Sequence, residues 1–164
     1  MRLSKRGEYG LRAMIDLAEH LQPSAKEAHD GDVVQIREIA ERQHIPAKFL
    51  EQILLTMKNA GLLHSRMGLG GGYYLAKPAT EISLGQIVRV LDGPLAPIGC
   101  VSQMAYEPCG CPDEETCGLR LVMLDVRNAI SGILDGTTLA DVTRRVESAR
   151  RLLASETAPV TERV

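Results

Sequence analysis

The sequence predicts a mainly α-helical protein with one small β-hairpin, on three observations. Apolar residues recur at offsets of three and four along most of the chain, the spacing of a single helix face. One glycine-rich stretch, MGLGGG, separates two short strand-like runs, LLHSR and YYLAK. Leu119, Val122, Val126, Ala129 and Ile133 are spaced alternately by three and four, the seam pattern of a long packed helix.

Each element has its own signals. Ser4 suits the N-cap of a first helix reaching about Leu21, with Leu11, Met14, Ile15 and Ala18 on its inward face. Pro23 ends it, and the polar stretch from Ser24 to Asp32 reads as a loop; Val33 and Val34 suit a very short strand. A second helix covers about Ile36 to Gln43, with Ile39 and Ala40 inward. His44-Ile45-Pro46 breaks it, and Pro46 fits the first position of a third helix, whose Leu50, Ile53, Leu54 and Met57 face inward until Gly61 stops it.

The hairpin follows. Ser83 and Gln86 then form a capping-box pattern that opens a fourth helix, with Leu84, Ile87, Val88 and Leu91 inward and Gly93-Pro94 at its end. Leu95 to Thr116 holds three prolines and two glycines and reads as a loop. A fifth helix spans about Gly118 to Leu134, with a second apolar row of Met123, Ile130 and Leu134 beside the seam. Two rows let one helix pack on its own domain and on a partner subunit together. Thr138 and Asp141 start a last helix to about Ala154, and residues 155–164 read as a frayed tail.

Composition narrows the function. Hydrophobic residues are 45% and charged residues 24%, so the chain of 164 residues is globular rather than disordered. No apolar run approaches the ~20 residues of a membrane span. The N-terminus carries no apolar core of a signal peptide, so a soluble, cytoplasmic protein is expected. Aromatic residues are 3%, which argues against an aromatic-lined sheet for single strands. The net charge of −2 hides a local excess: Lys48, Lys58, Arg66 and Lys77 stand against Glu51 alone between Pro46 and Lys77.

Helix, short turn, helix and glycine-tipped hairpin follow in the order of a winged helix-turn-helix. The second helix of the pair enters the major groove, where its N-terminal side chains reach base edges. Ala47, Lys48, Phe49, Glu51 and Gln52 are the groove-facing candidates; Gln52 suits an adenine edge and Glu51 a cytosine amino group. Lys48, Lys58, Arg66 and Lys77 suit phosphates. Gly70, Gly71 and Gly72, with Tyr73 next to them, would let the wing approach DNA closely. The bland alternative is a three-helix core with a solvated polar face. GLGGG lacks a following Lys-Ser/Thr and runs into a strand, which argues against a nucleotide loop. No Ser/His/Asp or paired-carboxylate arrangement supports an enzyme, and no small-molecule substrate is expected.

Cys100, Cys109, Cys111 and Cys117 fall within 18 residues and are the only cysteines. Soft thiolates suit an iron–sulfur cluster or zinc, and the same spacing allows a thiol switch; the residues alone leave these three open. Glu8, on the first turn of the first helix, favours that helix's dipole.

Taken together, MRLSKRGEYGLRAM, IREIAERQHIPAKFLEQIL, GLGGGYYLAKP, ISLGQIVRVLDG, the cysteine loop and ILDGTTLADV resemble the IscR/NsrR-type (BadM-like) winged-helix bacterial transcriptional regulators, from Met1 to about Val142. The resemblance implies a homodimer crossing through the helix from Gly118 to Leu134, bound to a partly palindromic double-stranded DNA operator. It also implies an iron–sulfur cluster, [2Fe–2S] with [4Fe–4S] as the alternative, held between the cysteine loop and the partner's DNA-binding domain. A change in the cluster would then shift the two reading heads.

This sequence departs from the family in three places. It has four cysteines where many members have three, so Cys109 and Cys111 compete for the middle position. Arg120 stands where some members have a ligating histidine, while Glu8 stands where others supply an acidic ligand from the partner subunit. The fourth ligand is therefore the extra cysteine or Glu8. Met67 replaces the usual arginine before the first wing glycine. The expected organisation is a winged helix-turn-helix at 1–78, a connecting helix at 79–98, the cysteine loop at 99–117 and dimerisation helices at 118–154. The expected function is a redox-, nitric-oxide- or cluster-responsive regulator, usually a repressor. Its rivals are a metal-free thiol/disulfide regulator and a non-regulatory iron–sulfur or interaction protein.

Overall fold

The computed structural model describes residues 2–21 and 33–156; the loop expected from Ser24 to Asp32 lies outside them, as do residues 157–164 of the expected tail. The described residues form α1 (Lys5–His20), α2 (Ile36–Gln43), α3 (Ala47–Asn59), strands β1 (Leu63–Arg66) and β2 (Gly72–Leu75), α4 (Leu84–Asp92), α5 (Gly118–Asp135) and α6 (Leu139–Glu156). Short 3-10 turns occupy Ala79–Glu81 and Gly99–Val101. The predicted class, mainly helical with one hairpin, is the observed one.

Ser4 caps α1, accepting a hydrogen bond from the Gly7 amide. The core face of α1 is rotated from the expected one. Gly7, Gly10, Ala13, Met14 and Leu17 are buried, while Leu11, Ile15 and Ala18 are half-buried on its flank. The reason is α4. A Cβ on Gly10 would lie 2.1 Å from Leu91 Cδ1, and one on Gly7 would lie 2.4 Å from an Asp92 carboxylate oxygen. The two glycines are the contact, and a count of apolar side chains does not see them.

In α2 and α3 the expected inward residues are the buried ones: Ile39, Ala40, Leu50, Ile53, Leu54 and Met57. Side chains of this size stabilise by about 1.5–3 kcal/mol each when fully buried. Pro46 sits one place earlier than expected, as N-cap rather than first helical residue. His44 closes α2 in the left-handed region, at φ 50°, which turns the chain into α3.

β1 and β2 pair antiparallel, from Leu63 opposite Leu75 to Arg66 opposite Gly72. Val34 adds the expected short strand as an isolated bridge to Tyr73. The Ser83–Gln86 capping box is formed at α4. Leu139 N donates to the Ile82 carbonyl at 2.9 Å, and Leu84 N to the Thr137 carbonyl at 2.9 Å, tying the starts of α4 and α6 together. One core, of α1 to α4, the hairpin base and Leu139, sits behind the helix-turn-helix. The last helix continues through Ser155 and Glu156, two residues into the expected tail.

Among the described residues α5 buries none. Its seam residues Leu119, Val122, Val126 and Ile133 are exposed, while Met123, Ile130 and Leu134 are half-buried against the protomer. No helix of the described residues is long and apolar enough to cross a membrane.

Candidate DNA interface and cysteine arm

The outer face of α3 follows from its inner one. With Leu50, Ile53, Leu54 and Met57 fixed inward, Ala47, Lys48, Glu51 and Gln52 are turned to solvent on the first two turns. Phe49 is partly used within the fold: its ring meets Tyr9 of α1 edge-on at 5.8 Å. Lys5 and Arg12 flank the same Tyr9 ring at 5.6 and 5.5 Å.

Two connections that hold α1 to α3 and to α2 are absent from the motif reading. Arg6 Nη2 donates to Thr56 Oγ1 at 2.6 Å, bracing the C-terminal half of α3. Asp16, only 1% exposed, accepts from Arg42 Nη2 at 2.6 Å, Arg42 Nε at 3.0 Å and Gln43 Nε2 at 2.9 Å. Arg12 reaches the Gln43 carbonyl from the same side. A carboxylate on the core side of α1 was the available signal, since a buried charge requires a paired donor.

The wing lies beside this face. Lys58 Nζ donates to Ser65 Oγ at 2.7 Å, so the end of α3 is tied to β1. Burial first, and then the Glu51 carboxylate, push the Tyr73 phenol of β2 up from its ordinary value. Gly71 and Gly72 have structural reasons of their own. A Cβ would strike the Arg66 carbonyl at 2.3 Å and the Val34 carbonyl at 2.5 Å respectively. Gly70 is open and takes φ 79° in the turn. Arg66 and Met67 are exposed on the wing.

The cysteine arm leaves α4 and returns at α5. Cys100 is buried in the 3-10 turn, and Cys109, Cys111 and Cys117 are half-buried. The four sulfurs run as neighbours in the order Cys100, Cys109, Cys111, Cys117, and all four are free thiols. Cys111 and Cys117 Sγ stand 3.8 Å apart. Two thiolates on one tetrahedral ion, with bonds of about 2.3 Å, stand about 3.8 Å apart. The observed separation is compatible with that spacing and is also that of a thiol–thiol hydrogen bond, and among the described residues no group of three His, Cys, Asp or Glu closes around a point.

Hydrogen bonding polarises the row. The Cys111 thiol lowers Cys109 and is itself pushed up to about 12, first by Cys109 and then by Cys117. Burial raises Cys100. Glu114 and Arg120 form an ion pair at 3.2 Å across the base of the arm, so Arg120 serves the arm as a brace. Glu8 is half-buried on α1 and paired to Lys5 at 2.8 Å and to Arg12 at 3.8 Å. It lines an open cavity of about 550 Å³ with Arg2, Leu3, Ser4, Leu91 and Asp92.

The profile of the Rrf2 family, described as an iron-dependent transcriptional regulator, matches residues 3–145. The chain belongs to the Rrf2 family. The rrf2-like HTH-type transcriptional regulator of Rhodobacter capsulatus is 36% identical over 152 residues, covering 92% of this chain and 98% of that protein. Among solved structures, CymR, the global cysteine regulator of B. subtilis, is similar with a TM-score of 0.70 and 30% identity, over 88% of this chain and 98% of that one. IscR of T. potens matches with a TM-score of 0.67 and 32% identity, over 91% and 90%. Membership of the Rrf2 family makes the chain a DNA-binding transcriptional regulator, not an enzyme. The expected resemblance was to the same group, since IscR is among these relatives.

Proposed function

We propose that the chain is a homodimeric repressor whose operator affinity is set by an iron–sulfur cluster, [2Fe–2S] with [4Fe–4S] as the alternative, bound in the cysteine arm. The observation that carries this reading is the row of four neighbouring thiols, with Cys111 and Cys117 Sγ 3.8 Å apart. Four thiolates are the usual ligand set of such clusters. Cys100 and Cys117 anchor the two ends of the arm, and Cys109 or Cys111 supplies the middle ligand. The fourth ligand is either the second of that pair or Glu8 of the partner subunit, which faces an open cavity. What such a centre supplies is a bond set sensitive to oxidation and nitric oxide.

The chain's own residues do the rest. The exposed seam of Leu119, Val122, Val126 and Ile133 is covered by a second copy, because a helix with this apolar face is not left in water. Ala47, Lys48, Phe49, Glu51 and Gln52 face the major groove, with Lys58, Arg66, Gly70, Gly71, Gly72 and Tyr73 along the wing.

Protein purified anaerobically should be coloured, with iron and acid-labile sulfide near stoichiometry, and Cys117→Ser should lose both. A colourless, iron-free preparation that binds its operator tightly overturns the cluster. The Cys111–Cys117 contact also favours a second reading, a thiol/disulfide regulator of transcription. Mass spectrometry of non-reduced, air-exposed protein, with operator binding measured on the same sample, separates the two, since only that reading gives a disulfide whose formation changes operator affinity in metal-free protein.

A further inference from the structure

The wing carries an apolar tip. Leu69 is fully exposed and Met67 is 89% exposed, at the end of a hairpin whose neighbouring positions are glycine. Gly68 at φ 98° and Gly70 at φ 79° flank Leu69, and the Gly71 amide donates to the Gly68 carbonyl at 2.9 Å, closing the turn. Arg66 Nη2 donates to the Gly70 carbonyl at 3.3 Å. Leu69 is therefore held outward by the turn itself.

The base of the hairpin is equally fixed. The close backbone approaches at Gly71 and Gly72 leave no room for it to slide, and the paired hydrogen bonds of Val34 and Tyr73, 2.9 and 3.0 Å, anchor it to the start of α2. The strand below the tip is tied to α3, Lys58 Nζ donating to Ser65 Oγ at 2.7 Å, and the exposed Arg66 ends that strand next to the tip. A stable protein partner buries about 800 Å² per side, far more than two side chains offer. A base step in a narrow groove, with phosphates on both sides for the surrounding cations, fits two apolar side chains on a thin hairpin.

We propose that Leu69, seconded by Met67, is a wedge that enters the minor groove beside the half-site read by α3 and partly unstacks one base step. Operator choice then depends on how easily that step opens, at a position where the protein makes no hydrogen bond to a base. Pyrimidine–purine steps open most easily, so the preference is for TA or CA over AA. This rests on the reading of α3 and the wing as the DNA interface.

The test uses full-length protein and duplexes it selects from a random-sequence pool. The step under the wing is varied among TA, CA and AA, and 2-aminopurine is placed in it as a stacking reporter. The parent should prefer TA over AA by about tenfold, the scale of one readable position, and should brighten the 2-aminopurine on binding. Leu69→Ala should reduce the preference below about twofold and leave the probe dark, while Leu69→Phe should keep both. Both variants should fold, because the Leu69 side chain is fully exposed among the described residues. Selection of a duplex with equal affinity for all three steps, or with discrimination unchanged in Leu69→Ala, overturns the wedge alone. Failure of the parent to select any duplex overturns the DNA-interface reading beneath it.

Discussion

Replacing Asp16 with alanine removes the acceptor that ties α1 to the end of α2. The carboxylate is 1% exposed and takes two hydrogen bonds from the Arg42 guanidinium and one from the Gln43 amide, all within 3.0 Å. Breaking a buried charge pair by deleting one partner costs about 3–5 kcal/mol. The Arg42 side chain is one-third exposed, so water re-solvates part of it and the lower end applies, about 3 kcal/mol. For a chain of this size that lowers Tm by roughly 6–12 °C. Asp16→Asn keeps one oxygen acceptor and loses the charge, and should fall between the two. Thermal melts followed by circular dichroism, at one fixed protomer concentration, measure this. The network also sets the turn at His44 that aims α3, so operator affinity of Asp16→Asn should fall more than its modest loss of stability requires at a temperature where it is fully folded. An Asp16→Ala protein melting within about 2 °C of the parent, at most about 1 kcal/mol, would show the argument to be wrong.

Val126→Glu places a charge in the exposed seam of α5, and sedimentation should change from dimer to monomer with little loss of helix; an unchanged dimer excludes that seam as the interface. Lys48→Ala should weaken binding to all duplexes about equally and lower the slope of log affinity against log salt by about one, whereas Gln52→Ala should lose sequence preference with the slope unchanged. Asp141 is held down to about 2 by hydrogen bonds from the Thr138 amide and hydroxyl and by Arg144, against about 3.9 in an unfolded chain. A lowered carboxylate stabilises above its unfolded value and ceases to as pH falls through the folded one. The start of α6 should therefore loosen between about pH 4 and pH 2, seen as loss of amide-exchange protection at Leu139, and Asp141→Asn should abolish that pH dependence.

Elements with periodic apolar spacing were readable to within a residue or two. The inward sets of α2, α3 and α4 came through because large side chains mark them, and the capping residues Ser4 and Ser83 fixed two starts. Elements held by backbone or by small residues were not. The 3-10 turn at Ala79–Glu81 has no pattern of its own, and the core face of α1 was misjudged because glycine has no hydrophobic mark. At the candidate site, the exposed residues of α3 followed from the buried ones. Arg6, Tyr9 and Asp16 did not, because each acts through a partner distant in sequence: Thr56, Phe49 and Arg42. The cysteines were legible as a set, but which sulfurs touch depends on how a proline-rich loop folds back.

Glycine within a helix costs about 1 kcal/mol relative to alanine, so each one in these helices needs a reason. For Gly10 the reason is inside the protomer: an added Cβ would meet Leu91 at 2.1 Å, with Ile53 and Met57 at 3.3 and 3.4 Å behind it. Overpacking of that kind costs about 1–3 kcal/mol, which exceeds the gain in helix propensity, so Gly10→Ala should destabilise. A Cβ on Gly132 of α5 would meet nothing within 4 Å among the described residues, and in an isolated protomer Gly132→Ala should stabilise by up to about 1 kcal/mol. It lies one residue before Ile133 on the exposed seam, with Ala129 a turn earlier. If a second α5 crosses there at close range, the same substitution must lose dimer affinity, because the added methyl displaces a backbone rather than water. Dimer dissociation measured for Gly132→Ala therefore reports where the helices cross. Weaker association places the crossing at Gly132, and unchanged or tighter association moves it toward Val122 and Val126, where larger side chains fill the gap.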